Sequence, residues 1–392
     1  MMDYDIIIIG AGPAGLSFAK LLSATKLKVL IVEKQDEKSL ANPPYDGREI
    51  ALTHHSYNIM SQTGMWNKIP AKSISLIKDA KVLNGNLNDP LFFDHRKSGK
   101  ENLGYMISNH LIRKAAYEVV KPLKNVTLMT GVEVADVRTD DHCGEVTLKG
   151  GQKITAKLVV AADSRFSATR RMMGIPTAMR DFGRVCIVCR MALDRDHDET
   201  AYECFFYDRT MAVLPLNGRY CSVVLTIASE HADDILKMSP AAFGRDMTKR
   251  MEGQFGNMTL DTELFPYPLI GTYADRFYAN RYALMGDAAV GMHPVTAHGF
   301  NFGLRGADVL AHEIQAACDL GLNFAARDVL QRYSDAHRKA TWAMYMGTNT
   351  LVALYTKTTP LAKLARKSLL MLGQHLPPAK RIIMNQLTEA RG

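Results

Sequence analysis

The chain has 392 residues, 47% hydrophobic and 22% charged, an ordinary composition for a globular protein of two or three domains at about 150 residues each. That composition excludes a disordered chain, a collagen-like fibre and a disulfide-rich secreted module, and no run of about 18 uncharged apolar residues offers a spanning helix. The net charge of +8 is unevenly spread: residues 351–392 carry seven Lys or Arg against Glu389 alone, so +6 of it lies there.

Met1-Met2-Asp3-Tyr4-Asp5 has neither a basic n-region nor a small-residue cleavage site, so a cytoplasmic location is expected. Residues 5–9 form a continuous apolar run, as a buried parallel strand requires. A helix follows from about 14 to 24, then a strand from Lys28 to Glu33, which makes a βαβ start. Between strand and helix lies Gly10-Ala-Gly12-Pro13-Ala14-Gly15. Gly10 permits a tight turn, Gly12 lets the backbone approach a pyrophosphate, and Gly15 allows close helix–strand packing. The helix N-terminus then offers amides and partial positive charge. Glu33 closes the second strand, where a carboxylate can hold ribose hydroxyls. This predicts a dinucleotide site but does not separate NAD from FAD. His54-His55 has no carboxylate or cysteine at ligand spacing and carries no metal expectation.

A helix over 109–121 leads to strand-like stretches, the last running from Lys157 into Asp163. From about 183 to 227 the pattern turns β-rich: Val185–Met191, Tyr202–Tyr207, Met211–Leu216 and Tyr220–Ile227, with Asn217-Gly218 as a hairpin signal. Cys186 and Cys189 fall in an extended apolar stretch and should point to opposite faces, as core thiols. All six cysteines are expected to be free. Tyr282–Asp287 returns to a buried strand ending in Gly-Asp, followed by Met292-His293-Pro294 and by His298-Gly299-Phe300-Asn301-Phe-Gly303, which opens a long helix. Asp287 at such a strand end can bind the ribityl hydroxyls of a flavin, and a helix starting near Gly299 can face its pyrimidine. A nicotinamide enzyme has no use for that second site. Near the end, Leu361, Leu364, Ala365, Ser368, Leu369 and Leu372 recur at helical spacing beside Lys363, Arg366 and Lys367. Such a basic amphipathic helix either lies on an anionic membrane or packs against its own protein. No nucleic-acid-binding motif is present.

Gly10–Gly15 with Glu33, Asp46-Gly-Arg48-Glu-Ile-Ala-Leu52, Ala162-Asp163-Ser-Arg165 and Gly286-Asp287 with Met292-His293-Pro294 resemble, in this order, the motifs of the FAD-dependent aromatic monooxygenases, the para-hydroxybenzoate hydroxylase fold. Within that group the chain is most similar to the ubiquinone-biosynthesis hydroxylases, and resembles a 5-demethoxyubiquinol 5-hydroxylase-like subtype. The resemblance implies an α/β fold: a Rossmann-like FAD-binding domain (1–72, 98–178 and 278–345) interleaved with an antiparallel-sheet substrate domain (73–97 and 179–277), then a basic helical segment (346–392). It implies FAD held by Gly10, Gly12, Pro13, Ala14, Gly15, Glu33, Lys34, Arg48, Val134, Asp163, Arg165, Asp287, Pro294, Gly299, Phe300 and Asn301. Arg48 would lie over the flavin, Val134 would contact adenosine through its backbone, and His298 and Arg48 are the candidate catalytic side chains.

The implied reaction is ring hydroxylation of a polyprenylated phenol or quinol by O2 through a C4a-hydroperoxyflavin, the flavin being reduced by NAD(P)H or another donor. Peripheral contact with the inner membrane, or with a ubiquinone-biosynthesis complex, would suit a lipid substrate. Neither a metal nor a nucleic acid is expected. The alternatives are a hydroxylase of a soluble phenolic acid and a non-catalytic flavin-binding scaffold. At single positions the plainer readings are a helix cap for Asp287, a surface ion pair for Arg48 and structural hydrogen bonding for His293 and His298. Departures from the family pattern are Val290, Thr296-Ala297-His298, and Ser164 where relatives carry glycine after the aspartate.

Overall fold

A computed structural model describes residues 2–356 apart from 86, 88, 89, 207 and 293–297. The chain begins as its apolar pattern dictates. Strand Tyr4–Ile9 lies parallel to Val29–Glu33 on one side and Lys153–Ala161 on the other. Ile6 to Ile9 are all buried, because this sheet is covered on both faces. Helix Pro13–Leu21 tightens into the 3-10 turn Leu22–Ala24 and packs against helix Asn109–Val120 and the long helix His298–Asp319. Strand Tyr282–Leu284 joins the same sheet from far down the chain, parallel to Lys153–Ala161. Two distant stretches thus end at one sheet edge.

The largest sheet centres on Thr177–Leu193, Tyr220–Ala228, Thr210–Leu216 and Thr200–Phe205, each antiparallel to the next. Asp79–Asn84 adds to it, parallel to Thr200–Phe205. The hairpin expected at Asn217-Gly218 is present: Leu216 pairs with Tyr220, and Gly218 supplies the left-handed backbone at φ +71°. Strand Thr177–Leu193 runs well beyond the expected 185–191. Gly183, at φ +60°, sits where the register with Phe265–Ala274 shifts between Asp181 and Val185, and that bulge lets the strand bend and continue.

The two faces of this sheet have different fates. One packs under helix Pro240–Arg250, joining Met211, Val213, Val223 and Leu225 to Phe243 and Met247. The other turns toward a small sheet of Glu49–Leu52, Gly104–Ser108 and Ser75–Ile77. Cys186 lies on this second face and Cys189 on the helix-covered one, as an extended chain requires. Burial pushes both thiols up to about 12.

Residues 346–356 continue the helix Arg327–Thr356; the amphipathic stretch after Thr356 lies outside the described residues. No helix among the described residues is long and apolar enough to cross a membrane. Because four of the six cysteines are buried, a thiol reagent such as DTNB should modify at most Cys143 and Cys318 in the native protein. Cys186, Cys189, Cys204 and Cys221 should react only in denaturant, and fast native labelling at any of them would contradict this packing.

Candidate flavin site

The site begins where backbone meets backbone. Gly10 donates to the Val32 carbonyl at 2.8 Å and turns at φ +110°, where a Cβ would lie 2.3 Å from the Ala162 carbonyl oxygen. A Cβ on Gly15 would lie 2.2 Å from the Gly10 oxygen. Both positions therefore require glycine. At Gly12 a Cβ would meet nothing within 4 Å, so this turn faces open space. Gly12 is the extended N-cap of helix Pro13–Leu21, without a side-chain cap and without an acid in the first turn. The first helical hydrogen bond is Leu16 N to Gly12 O, so the Ala14 and Gly15 amides precede the intrahelical ladder and can receive an anion.

Glu33 is tied into this turn. It accepts from Ala11 N at 2.7 Å and from Gln35 N at 2.8 Å, which joins the second strand's end to the glycine loop. Lys34 is exposed beside it, and Val134 starts the strand Val134–Thr139, paired with Leu148. Asp163 follows the strand that supplies Ala162. One carboxylate oxygen accepts from Thr169 N and Oγ1 at 3.2 and 3.1 Å; the other, Oδ1, is buried without a partner among the described residues. Ser164, the departure noted above, sits at φ +143°, a conformation that glycine adopts freely and serine does not.

The second half of the site comes from the Gly-Asp turn. Gly286, at φ +59°, would bring a Cβ to 3.2 Å from the Ala14 Cβ, and a Cβ on Gly303 would lie 3.6 Å from the same atom. These small residues seat the Gly-Asp turn and helix His298–Asp319 against the first helix. Asp287 is held by Arg165, whose Nη2 lies 3.0 Å from Oδ2 while Nη1 donates to the Ile270 carbonyl at 2.7 Å. Arg165 is thus the residue that orients Asp287. Below it, the buried Arg170 donates to the Ala288 carbonyl at 2.7 Å. Sequence reasoning missed that clamp, since nothing in the pattern marks a buried arginine.

His298 opens the long helix, as expected, and is buried, with Phe302 at 5.4 Å between ring centroids. Gly299 has open space around it, and Phe300 packs against the main core. Asn301 is buried; its amide donates to Ala51 O at 2.9 Å and its oxygen accepts from Thr53 N at 3.1 Å. That fastens the helix to the strand carrying the arginine motif. His293 and Pro294 lie outside the described residues.

Arg48 pairs with Asp46, Nη2 to Oδ2 at 2.5 Å, and lies over the Tyr267 ring at 5.3 Å. Asp46 is fixed by the Asn109 amide at 2.8 Å, and its carbonyl accepts from the Tyr267 hydroxyl at 2.6 Å. Asp46 and Asp287 both add negative potential at Arg48, which favours its charged form. Glu49, next along, faces Ser108 at 2.7 Å, and burial pushes its carboxyl up to about 7. Its position inside the Asp46–Leu52 motif was the one signal that could have drawn attention to it. The arrangement fits a dinucleotide with a ring beyond it: an open turn and free helix amides for phosphates, a buried oxygen of Asp163 left unpaired, and an oriented carboxylate at Asp287.

Residues 3–348 match the family model described as "FAD binding domain", and the chain belongs to that family. It is 47% identical over 388 residues to the ubiquinone hydroxylase UbiM of Neisseria meningitidis, covering 98% of this chain and 84% of the relative. It is 31% identical over 381 residues to the ubiquinone hydroxylase UbiL of Rhodospirillum rubrum, covering 97% and 88%. Among solved structures, p-nitrophenol 4-monooxygenase of Pseudomonas putida shares the fold at a TM-score of 0.79 and 19% identity, with 100% of both chains covered.

Ser164→Gly should relieve the strained backbone and stabilise the protein by about 1 kcal/mol, read as a rise of about 2 °C in thermal midpoint. Ser164→Ala should leave the midpoint unchanged. Gly10→Ala should instead prevent FAD retention or folding altogether, because its Cβ meets backbone that cannot move aside; an FAD-loaded, soluble Gly10→Ala protein would refute this.

Proposed function

We propose that this chain is a ubiquinone hydroxylase, an FAD-dependent monooxygenase acting on the ring of a prenylated ubiquinone precursor. The observation that carries the reading is 47% identity over 98% of the chain to a ubiquinone hydroxylase, a span that takes in the large sheet as well as the cofactor cradle. FAD phosphates rest on Gly12, Pro13 and the amides of Ala14 and Gly15, with Asp163 beside them. Glu33, Lys34 and Val134 serve the adenosine end. Asp287, oriented by Arg165, takes the ribityl hydroxyls, and Gly10 and Gly15 bring the backbone close enough. Arg48 covers the ring from one side, and His298, Gly299, Phe300 and Asn301 border its pyrimidine end.

The bound flavin supplies electron transfer and oxygen activation. The protein's own share is to hold the aromatic ring against it and to exclude water. The cofactor part comprises 1–72, 98–178 and 278–345, and the substrate part 73–97 and 179–277. The +6 charge of residues 351–392 supports docking on an anionic membrane or on a biosynthetic complex, where a prenylated substrate resides.

In a strain lacking this gene and any second hydroxylase acting at the same ring position, mass spectrometry of quinone lipids should reveal a precursor short of one ring oxygen. The intact gene should clear that precursor and an Asp287→Ala gene should not; an unchanged lipid profile overturns the ubiquinone reading. The full chain should also sediment with vesicles containing anionic lipid and not with purely zwitterionic ones, and equal binding to both would count against electrostatic docking.

A further inference from the structure

The nine-stranded sheet divides its residues by the pleat, and one acid falls on the wrong side for a packed core. Glu203 lies in the middle of Thr200–Phe205. Directly opposite it are Val82 on one side and Ala212 on the other, and the row continues through Val224 to Val188. All of these point to the same face. Tyr202 and Cys204, its neighbours in sequence, point the other way into the core under helix Pro240–Arg250.

That second face is not closed over. Ala201, Glu203, Leu214 and Val224 remain partly exposed in the centre of the sheet, while Tyr202, Cys204, Met211, Val213, Val223 and Leu225 on the opposite face are buried. Val82 belongs to the apolar cluster beneath the small sheet, and Val224 to the cluster of Cys186, Val188 and Leu269. Glu203 stands at the seam between them.

A carboxyl there has no protein partner among the described residues. The apolar surroundings push it up, to about 8, which favours the uncharged acid, a group that can both donate and accept a hydrogen bond. Two more polar atoms on this face, Asn84 Oδ1 and Ser222 Oγ, are buried without partners among the described residues. A sheet face that only packed would not retain two buried orphan atoms beside an unpaired carboxyl, since each costs free energy until something pairs with it. Tyr267, under Arg48, lies on the same face four strand spacings away, about 19 Å.

We propose that the Glu203 carboxyl is the group that receives a ring hydroxyl of the aromatic substrate. This assignment rests on the hydroxylase reading above. The hydrogen bond satisfies a carboxyl that has no partner among the described residues, and it selects rings bearing a hydroxyl over rings without one. The apolar row beside it takes the ring itself.

The test is a thermodynamic cycle on the FAD-loaded enzyme, with binding read from the change in flavin absorbance. One probe is a hydroquinone bearing a methyl, a methoxy and a single isoprenyl group; the other is the same ring without its hydroxyls. The wild type should prefer the hydroquinone by about tenfold. Glu203→Leu should lose that preference while keeping its FAD and its affinity for the ring without hydroxyls, and Glu203→Gln, which can still hydrogen-bond, should restore most of it. Glu203→Leu should melt higher than the wild type, because it removes an unpaired carboxyl from an apolar face, while Glu203→Gln, which keeps an unpaired polar group there, should not. If the wild type discriminates and Glu203→Leu discriminates equally, this assignment is wrong while the hydroxylase reading stands. If the wild type binds neither probe, the quinol reading falls and the assignment falls with it.

Discussion

Everything in the cofactor cradle depends on backbones brought closer than any side chain allows. Gly10 against the Ala162 carbonyl and Gly15 against Gly10 leave no volume for a Cβ. The Gly286 turn and Gly303 pack on Ala14 less tightly, where a Cβ would lie 3.2 and 3.6 Å from the Ala14 Cβ. Three segments separated by more than a hundred residues, the first glycine turn, the strand ending at Ala161 and the Gly-Asp turn, thereby meet at the amino end of one helix. That helix end carries partial positive charge that no residue of its first turn neutralises. The carboxylates that meet there are kept apart in role by their partners: Glu33 is bound by backbone amides, Asp163 by a threonine on one oxygen alone, and Asp287 by Arg165.

A second constraint shapes the substrate side. In a strand, alternate residues face opposite ways, so a sheet covered by a helix on one face presents a separate surface on the other. Here the covered face is mainly apolar and buried, whereas the open face mixes valine, alanine and leucine with Glu203, Asn84 and Ser222. The arginine motif closes this surface at one end, because Arg48 and Asp46 are tied to Tyr267 of the same sheet. Cofactor half and substrate half are therefore joined by a few directional contacts in addition to apolar packing.

Much of the site could be read in advance because its requirements are local. Gly10 through Gly15, the acid at the end of the second strand and the Gly-Asp pair each do their work within a few residues of chain, so the pattern of residue types carries the geometry. The βαβ start, the long final helices and the hairpin at Asn217-Gly218 were legible for the same reason. What escaped were residues whose meaning depends on a distant partner. Nothing near Arg165 in sequence shows that it holds Asp287 and the Ile270 carbonyl. Arg170 and Asn109 carry no local signal, and nothing near Asn301 in sequence shows that its amide ties the long helix to Ala51.

The sequence by itself determined the order of the elements, the glycine turns and the family to which they belong, since hydrophobic period and turn chemistry are encoded over spans shorter than one element. Only the tertiary structure decided which carboxylates are already satisfied and which are left to meet a ligand. Glu33, Glu49, Asp163 and Glu203 are all acids at the ends or middles of apolar strands. Their different fates follow from which donors the fold brings within hydrogen-bond reach and how much water it takes away, and neither quantity exists until the sheets have closed on one another.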